Sequence, residues 1–587
     1  MIFLREALYR RRIARIADIA KGGCGGIAIM RPRRRSRRIF ARIAVKIGPM
    51  PRSSASTPPP GQSIIARRVG AGFILGFPVL YGALSLWAGQ DANWDLENYH
   101  WYNAYAFLTG RGDRDVLVAQ TPSFYNPLLD IPFYLAATHL PARLVGFALG
   151  WVQGLNGALL FLLAMKAIRR PEPERVLLAM LTAVVGMLGG ATLGEIGATF
   201  GDNIVSLGLL GGLLILADYA LRPALPAIGA VAAGLLLGSA AGLKQPHLLY
   251  CGGIGLALLF LPGSLARRLS LALCVAIGGI GGIALTAGFW MAHLWHAYGD
   301  PLFPYYNQIF RSPFAATNRD YRDTAMIPTS AWVRAFYPFY FTVNPYRAGE
   351  VAQRGPAILA LFILLPIGVL SGLRRRFAGA TEAAHWADPA VARFLLAAMA
   401  FSYLAWLQMF CIYRYLAPLE MLAPLGVLLA IDYLPGAVRP KRIATAALLM
   451  LCAATSVRGD WGRVSWGDRY VDIHPPPLAP DALALMGGYE PVGFIAAGLP
   501  ANIPVLRIQS NFTHPGDTPS RFTAIMKERI AAHQGPLVII YLRKDQPNVD
   551  QAMIEYGLTL DRDSCRDVPN SLDDRGVLLC GVSRQAR

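Results

Sequence analysis

Eleven apolar runs dominate this sequence, at residues 69–88, 142–165, 175–192, 203–220, 225–243, 247–262, 269–295, 355–371, 391–411, 416–433 and 442–457. Such runs suit a hydrocarbon layer roughly 30 Å thick, which about 20 helical residues cross. No water meets the backbone N–H and C=O groups inside lipid, so these runs must satisfy them internally as helices. Mean hydropathy of +0.39 with only 16% charged residues excludes an ordinary soluble enzyme. The expected fold class is therefore a polytopic α-helical membrane protein, with about eleven transmembrane helices and a small C-terminal extracytoplasmic α/β domain.

The net charge of +20 suggests nucleic acid only until its distribution is read. Residues 1–68 hold fifteen Arg and two Lys against one Asp and one Glu, and so supply +15 of it. A basic flank beside a span points to the cytoplasmic face and to anionic membrane lipid, not to nucleic acid. This segment is expected to be disordered. It lacks the apolar core and cleavage site of a secretory signal, and Met50 is an alternative start. With the amino end inside, the cytoplasmic connections carry Lys166-Ala167-Ile168-Arg169-Arg170, Arg222, Arg267-Arg268, Arg374-Arg375-Arg376 and Arg439-Pro440-Lys441-Arg442. All are basic, as the positive-inside rule requires.

The stretch 122–140 is apolar but broken by Asn126-Pro127, Asp130 and Pro132. It is expected along the membrane surface, since a full span there would put Lys166, Arg169 and Arg170 outside. Residues 69–457 then form the transmembrane domain and 458–587 the outer domain. Val505–Ile508, Pro536–Leu542 and Val577–Val582 read as strands there, and Ser520–His533 as a helix. Cys565 and Cys580 are expected to pair in an oxidising compartment. The other five cysteines, Cys24, Cys251, Cys274, Cys411 and Cys452, lack metal-ligand spacing.

The outer face collects ionisable residues near membrane depth, where each is a functional candidate. Asp95 and Glu97 lie just past the first span. On an extended or turn backbone, side chains two apart share a side, so the pair would form one site for a proton or a divalent cation. On a helix they would splay roughly 200° apart. They also fit a hydrated loop that merely ends a helix. Glu195 and Asp202 share the next outer loop, where Asp202 is either a second site acid or a cap for the following helix. His100 is placed to bond a substrate beside the first acids, or is an interfacial polar residue. Lys244 suits a lipid phosphate or simply snorkels to the interface. Arg347 lies in the long outer loop 296–354, whose aromatics suit an interfacial belt or a ligand platform. Arg414 is a phosphate candidate or the partner of Glu420 in a structural ion pair.

Acids after the first span, an interrupted surface segment, a second acid in the next outer loop and a C-terminal outer domain together resemble the GT-C superfamily of integral-membrane glycosyltransferases. The likeness is to bacterial enzymes that use polyprenyl-phosphate sugars, and it covers residues 69–457. It implies a first-loop general base at Asp95 or Glu97 and a second-loop acid at Asp202. Lys244, Arg347 or Arg414 would face the departing lipid phosphate, with His100 and Glu195 near the substrates. The implied partners are a polyprenyl-phosphate-linked sugar donor, a lipid, glycan or protein acceptor, and the lipids of a bacterial inner membrane, with the C-terminal domain periplasmic. No cofactor is required, although two carboxylates leave a divalent cation open. A transporter or lipid flippase that couples ions through the same acids is the alternative, and a non-catalytic scaffold is the third reading.

Overall fold

The computed structural model describes residues 60–222, 225–377, 385–517 and 519–585. Residues 1–59, which include Cys24 and the alternative start Met50, lie outside the described residues. The remainder of the basic segment, residues 60–68, is helical.

Helices occupy all eleven apolar stretches, with two short helices between the first and second. In chain order they are α1 (Pro60–Ala88), α2 (Trp101–Thr109), α3 (Ile131–His139), α4 (Ala142–Ala167), α5 (Glu172–Met187), α6 (Asp202–Leu221), α7 (Ile228–Leu243), α8 (Leu248–Ala257), α9 (Leu265–Tyr298), α10 (Pro356–Phe377), α11 (Pro389–Met409), α12 (Ala417–Asp432) and α13 (Val438–Ala454). Among the described residues seven helices are long and apolar enough to cross a membrane: α1, α4, α6, α9, α10, α11 and the helix ending in α12. The chain is thus a multi-pass membrane protein. Helices α7 and α8 are apolar but shorter, and α5 and α13 have 16 and 17 residues.

Helix α12 is the axis of the bundle. Every residue from Ala417 to Asp432 is buried, which is why the run is apolar on all sides. Its two acids are spent on backbone groups. Glu420 accepts from the N–H groups of Gly190, Ala191 and Thr192 and from the Tyr413 hydroxyl. Asp432 accepts from the N–H of Trp386. Helices α7 and α9 meet through glycine: a Cβ on Gly238 would lie 2.0 Å from the Gly279 carbonyl, and one on Gly278 would lie 2.0 Å from that of Val231. Small residues four apart let two backbones touch where lipid supplies no hydrophobic drive. The outer face of α9 keeps Leu269, Leu273, Ile277, Ile280 and Leu285 exposed, as a lipid-facing helix would.

The last 130 residues carry a five-stranded sheet flanked by α14 (Arg521–Ala532) and α15 (Gln546–Glu555). Its strands are β3 (Leu483–Met486), β4 (Val505–Arg507), β5 (Leu537–Leu542), β6 (Leu558–Asp567) and β7 (Val577–Arg584), in the order β4-β3-β5-β7-β6. The two pairs at β3 are parallel, and β7 runs antiparallel to both its neighbours. Cys565 and Cys580 form a disulfide between β6 and β7. The expected strands and helix are present; β3, β6 and α15 are additional.

This sheet does not stand apart from the first outer loop. Strand β1 (Gln90–Asp91) pairs antiparallel with β2 (Arg463–Val464). Val116 exchanges backbone bonds with Val505 and Arg507. Buried Arg507 donates to the carbonyls of Val118, Gly488, Glu490 and Gln509. Leu96, Tyr102 and Tyr105 share one apolar cluster with Val492, Phe494 and Ile540. The C-terminal sheet region is therefore the roof over the loop after α1.

Candidate functional site

The first outer loop is helical, and that decides where its acids point. Asn93 starts the turn, its side-chain oxygen accepting from Leu96 N–H while its amide donates to Asp91 and Thr199. Asp95 has helical angles, φ −68° and ψ −38°, and Leu96–His100 forms a π-helical turn that runs into α2. Such one-turn widenings re-aim side chains and recur at functional sites. The shared site expected of Asp95 and Glu97 is overturned: two residues apart on a helix, they face opposite ways.

Asp95 turns toward the bundle. Its carboxylate accepts from Arg414 Nη1 at 2.7 Å and from the Tyr99 hydroxyl at 3.2 Å. Burial alone would raise this carboxyl, but Arg414 above all overcomes it and holds it below its ordinary value. Glu97 turns toward the roof and meets Arg575 at 2.5 Å. Arg575 also pairs with Asp573. Burial pushes Glu97 up to about 9 despite Arg575, whose charge Asp573 also faces.

Asp202 opens α6 directly after Gly201, whose left-handed backbone (φ +84°) allows the sharp entry; a Cβ there would strike Leu129 at 2.5 Å. Asp202 is wholly buried and does not cap its helix. It accepts from Lys244 Nζ at 2.6 Å, and its carboxylate stands 3.9 Å from Arg414 Nε and 3.8 Å from His247 Nε2. Lys244 follows the last residue of α7 and also donates to the Phe200 carbonyl. Arg414 comes from the turn Tyr413–Leu416 before α12, its guanidinium 4.3 Å from the Phe200 ring centre and 5.4 Å from that of Trp461. The alternative Arg414–Glu420 ion pair does not form; Asp95 takes that place.

The cluster is therefore Asp95, Arg414, Asp202 and Lys244, drawn from the loop after α1 and the adjoining ends of α6, α7 and α12. Asp95, Arg414 and Lys244 keep 14%, 11% and 13% side-chain exposure, whereas Asp202 has none. Ligands can thus reach the first three while Asp202 anchors the cations from beneath. Unspent bonding capacity remains: Arg414 Nε and Asp202 Oδ1 are buried without hydrogen-bond partners in the protein. Buried polar atoms are seldom left so.

Glu195 lies behind the cluster, buried, with both carboxyl oxygens unpartnered. Burial first, and Asp202 second, raise it well above its ordinary range. His100 bonds through Nδ1 to Asp130 at 2.7 Å. Arg347 is exposed, and no side-chain bond among the described residues ties it to the cluster. Among those residues no three His, Cys, Asp or Glu side chains converge to hold a metal ion. Sequence reasoning had passed over Asp130, His247, Phe200, Trp461 and Arg575. Only Asp130 carried a signal, as an acid inside an apolar stretch.

Comparison with solved structures finds several likenesses. The chain is similar to the Archaeoglobus fulgidus oligosaccharyltransferase in its apo form, with 12% identity, TM-score 0.43, and 81% of this chain and 69% of that one covered. The same oligosaccharyltransferase in complex with Zn and sulfate gives TM-score 0.42 at 12% identity, covering 81% and 67%. ArnT from Cupriavidus metallidurans bound to undecaprenyl phosphate gives TM-score 0.36 at 13% identity, covering 89% and 98%. No protein-family model and no curated protein matches the sequence.

Proposed function

We propose that this protein is a GT-C-type glycosyltransferase of a bacterial inner membrane, moving a sugar from a polyprenyl-phosphate donor to an acceptor on the outer face. One observation carries the reading: two carboxylates and two cations from separate elements meet at the outer end of a membrane bundle, with polar atoms unspent. The basic connections support a cytoplasmic placement of the opposite end. A lipid-linked donor would bring its phosphate to the interface, where Lys244 and Arg414 exchange part of their carboxylate contacts for phosphate oxygens. They then stabilise the charge that grows on the leaving phosphate. Asp95, the first-loop acid on this side, favours the oxocarbenium-like character expected at the anomeric carbon. Glu97 belongs to the roof.

The test uses purified protein in liposomes with labelled undecaprenyl-phosphate-linked hexoses and pentoses, and the host's membrane lipid and glycan extract as acceptor. Transfer of label with release of undecaprenyl phosphate supports the reading, and Lys244→Ala should raise the donor KM at least tenfold. Absence of product from every donor overturns it. Counterflow of solute without a glycosidic product would establish the transporter instead.

A further inference from the structure

We infer that the proton lost by the acceptor hydroxyl is taken by His100, with Asp130 as its positioning residue; this rests on the transferase reading above. His100 ends the π-turn, and Asp130 precedes α3 on the interrupted surface segment. Their side chains are 4% and 7% exposed and join at 2.7 Å through Nδ1 and Oδ1. With Asp130 as the accepting carboxylate, Nδ1 carries the hydrogen and Nε2 keeps its lone pair. That Nε2 is buried and has no hydrogen-bond partner in the protein. The imidazole packs on the Tyr99 ring, centroids 4.1 Å apart, and the Tyr99 hydroxyl donates to Asp95. Tyr99 therefore touches both the imidazole and the cluster.

The carboxylates that hold the site's cations are already engaged. Asp95 is neutralised by Arg414 and hydrogen-bonded to Tyr99. Asp202 is neutralised by Lys244, and Glu97 faces Arg575 in the roof. A carboxylate stabilised by a cation, as Asp95 is by Arg414, gains little from a proton. An oriented imidazole with a vacant nitrogen is matched to proton transfer near neutral pH.

In the step, the acceptor oxygen bonds to the anomeric carbon as the bond from that carbon to the phosphate oxygen breaks. The electron pair of that bond leaves on the lipid phosphate. The acceptor's hydroxyl proton passes to Nε2 and gives an imidazolium paired with Asp130. His100 later releases it to water. Asp130, Asp95, Tyr99 and Lys244 are the titratable groups that face the imidazole or its partner.

His100→Asn keeps a donor toward Asp130 and removes only the base. Transfer from whichever undecaprenyl-phosphate sugar the wild type uses should fall about 100-fold or more in kcat. The donor KM and the thermal unfolding midpoint should stay within error, and the acid limb of the wild-type kcat profile should vanish. Asp130→Asn should also lower kcat strongly, because an amide that donates to Nδ1 selects the wrong tautomer, and should move any remaining limb to lower pH. Unchanged kcat in His100→Asn overturns the inference. So does a loss of kcat that comes with a raised KM or a lowered unfolding midpoint while the acid limb persists. Wild type without transfer overturns the transferase reading and this inference together; wild-type transfer with an indifferent His100→Asn overturns the inference alone.

Discussion

Replacing Asp95 by Asn tests the ion pair on which the candidate site is built. The change keeps the shape and one acceptor oxygen but removes the charge facing Arg414 at 2.7 Å. Both side chains are nearly buried, at 14% and 11% exposure. Two unit charges about 4 Å apart attract by about 4 kcal/mol at an effective dielectric of 20. Removing one partner of a buried pair costs about 3–5 kcal/mol, because the other charge stays behind. Asp202, 3.9 Å from Arg414 Nε, takes up part of the loss, so about 3 kcal/mol is expected. The assay is chemical unfolding in detergent micelles of Asp95→Asn, Arg414→Gln and the double variant. A coupling of about 2 kcal/mol should appear, since groups in contact are not additive. If the two single losses simply add, or Asp95→Asn unfolds with the wild type, the pair does not exist as described. Sugar transfer by Asp95→Asn should fall at least about 100-fold, as on losing one group that stabilises transition-state charge.

Three further outcomes are expected. Glu97→Gln should leave transfer within about twofold at neutral pH. Glu97 is held up at about 9 against an ordinary 4.5, so its proton stabilises the fold fully below pH 4.5, and that contribution erodes as pH rises and is gone above about 9. Unfolding midpoints of wild type and Glu97→Gln measured across that window should diverge as pH climbs; parallel curves would show Glu97 ionised throughout. Cys565→Ser opens the loop closed by a disulfide with sequence separation 15 and should lower outer-domain stability by about 3 kcal/mol, read as a lower denaturant midpoint, whereas an unmoved midpoint would contradict it. Gly238→Leu must displace the Gly279 carbonyl, 2.0 Å from the added Cβ, so monodisperse yield on size exclusion should collapse; Gly255→Leu, with nothing within 4 Å of its Cβ, should not change it.

The sequence by itself determined the solvent the chain folds in and hence its helices. Apolar runs of bilayer length leave the backbone no other spanning structure. It also marked the interrupted surface segment and the Cys565–Cys580 bond, because turn residues and cysteines in a polar region act locally. It singled out Asp95, Asp202, Lys244 and Arg414 one at a time, since each ionisable group near lipid stands out on its own. Tertiary structure decided which of them meet. Asp95 and Arg414 are 319 residues apart and Glu97 and Arg575 are 478 apart, distances that no local pattern encodes. The split between Asp95 and Glu97 turned on backbone form: an extended loop aligns residues two apart, whereas the helix and π-turn set them back to back. The roof required that helix, because its apolar face packs under the outer domain. The partner of His100 was hidden for the same reason: Asp130 reaches it only once the surface segment has folded back against the first loop.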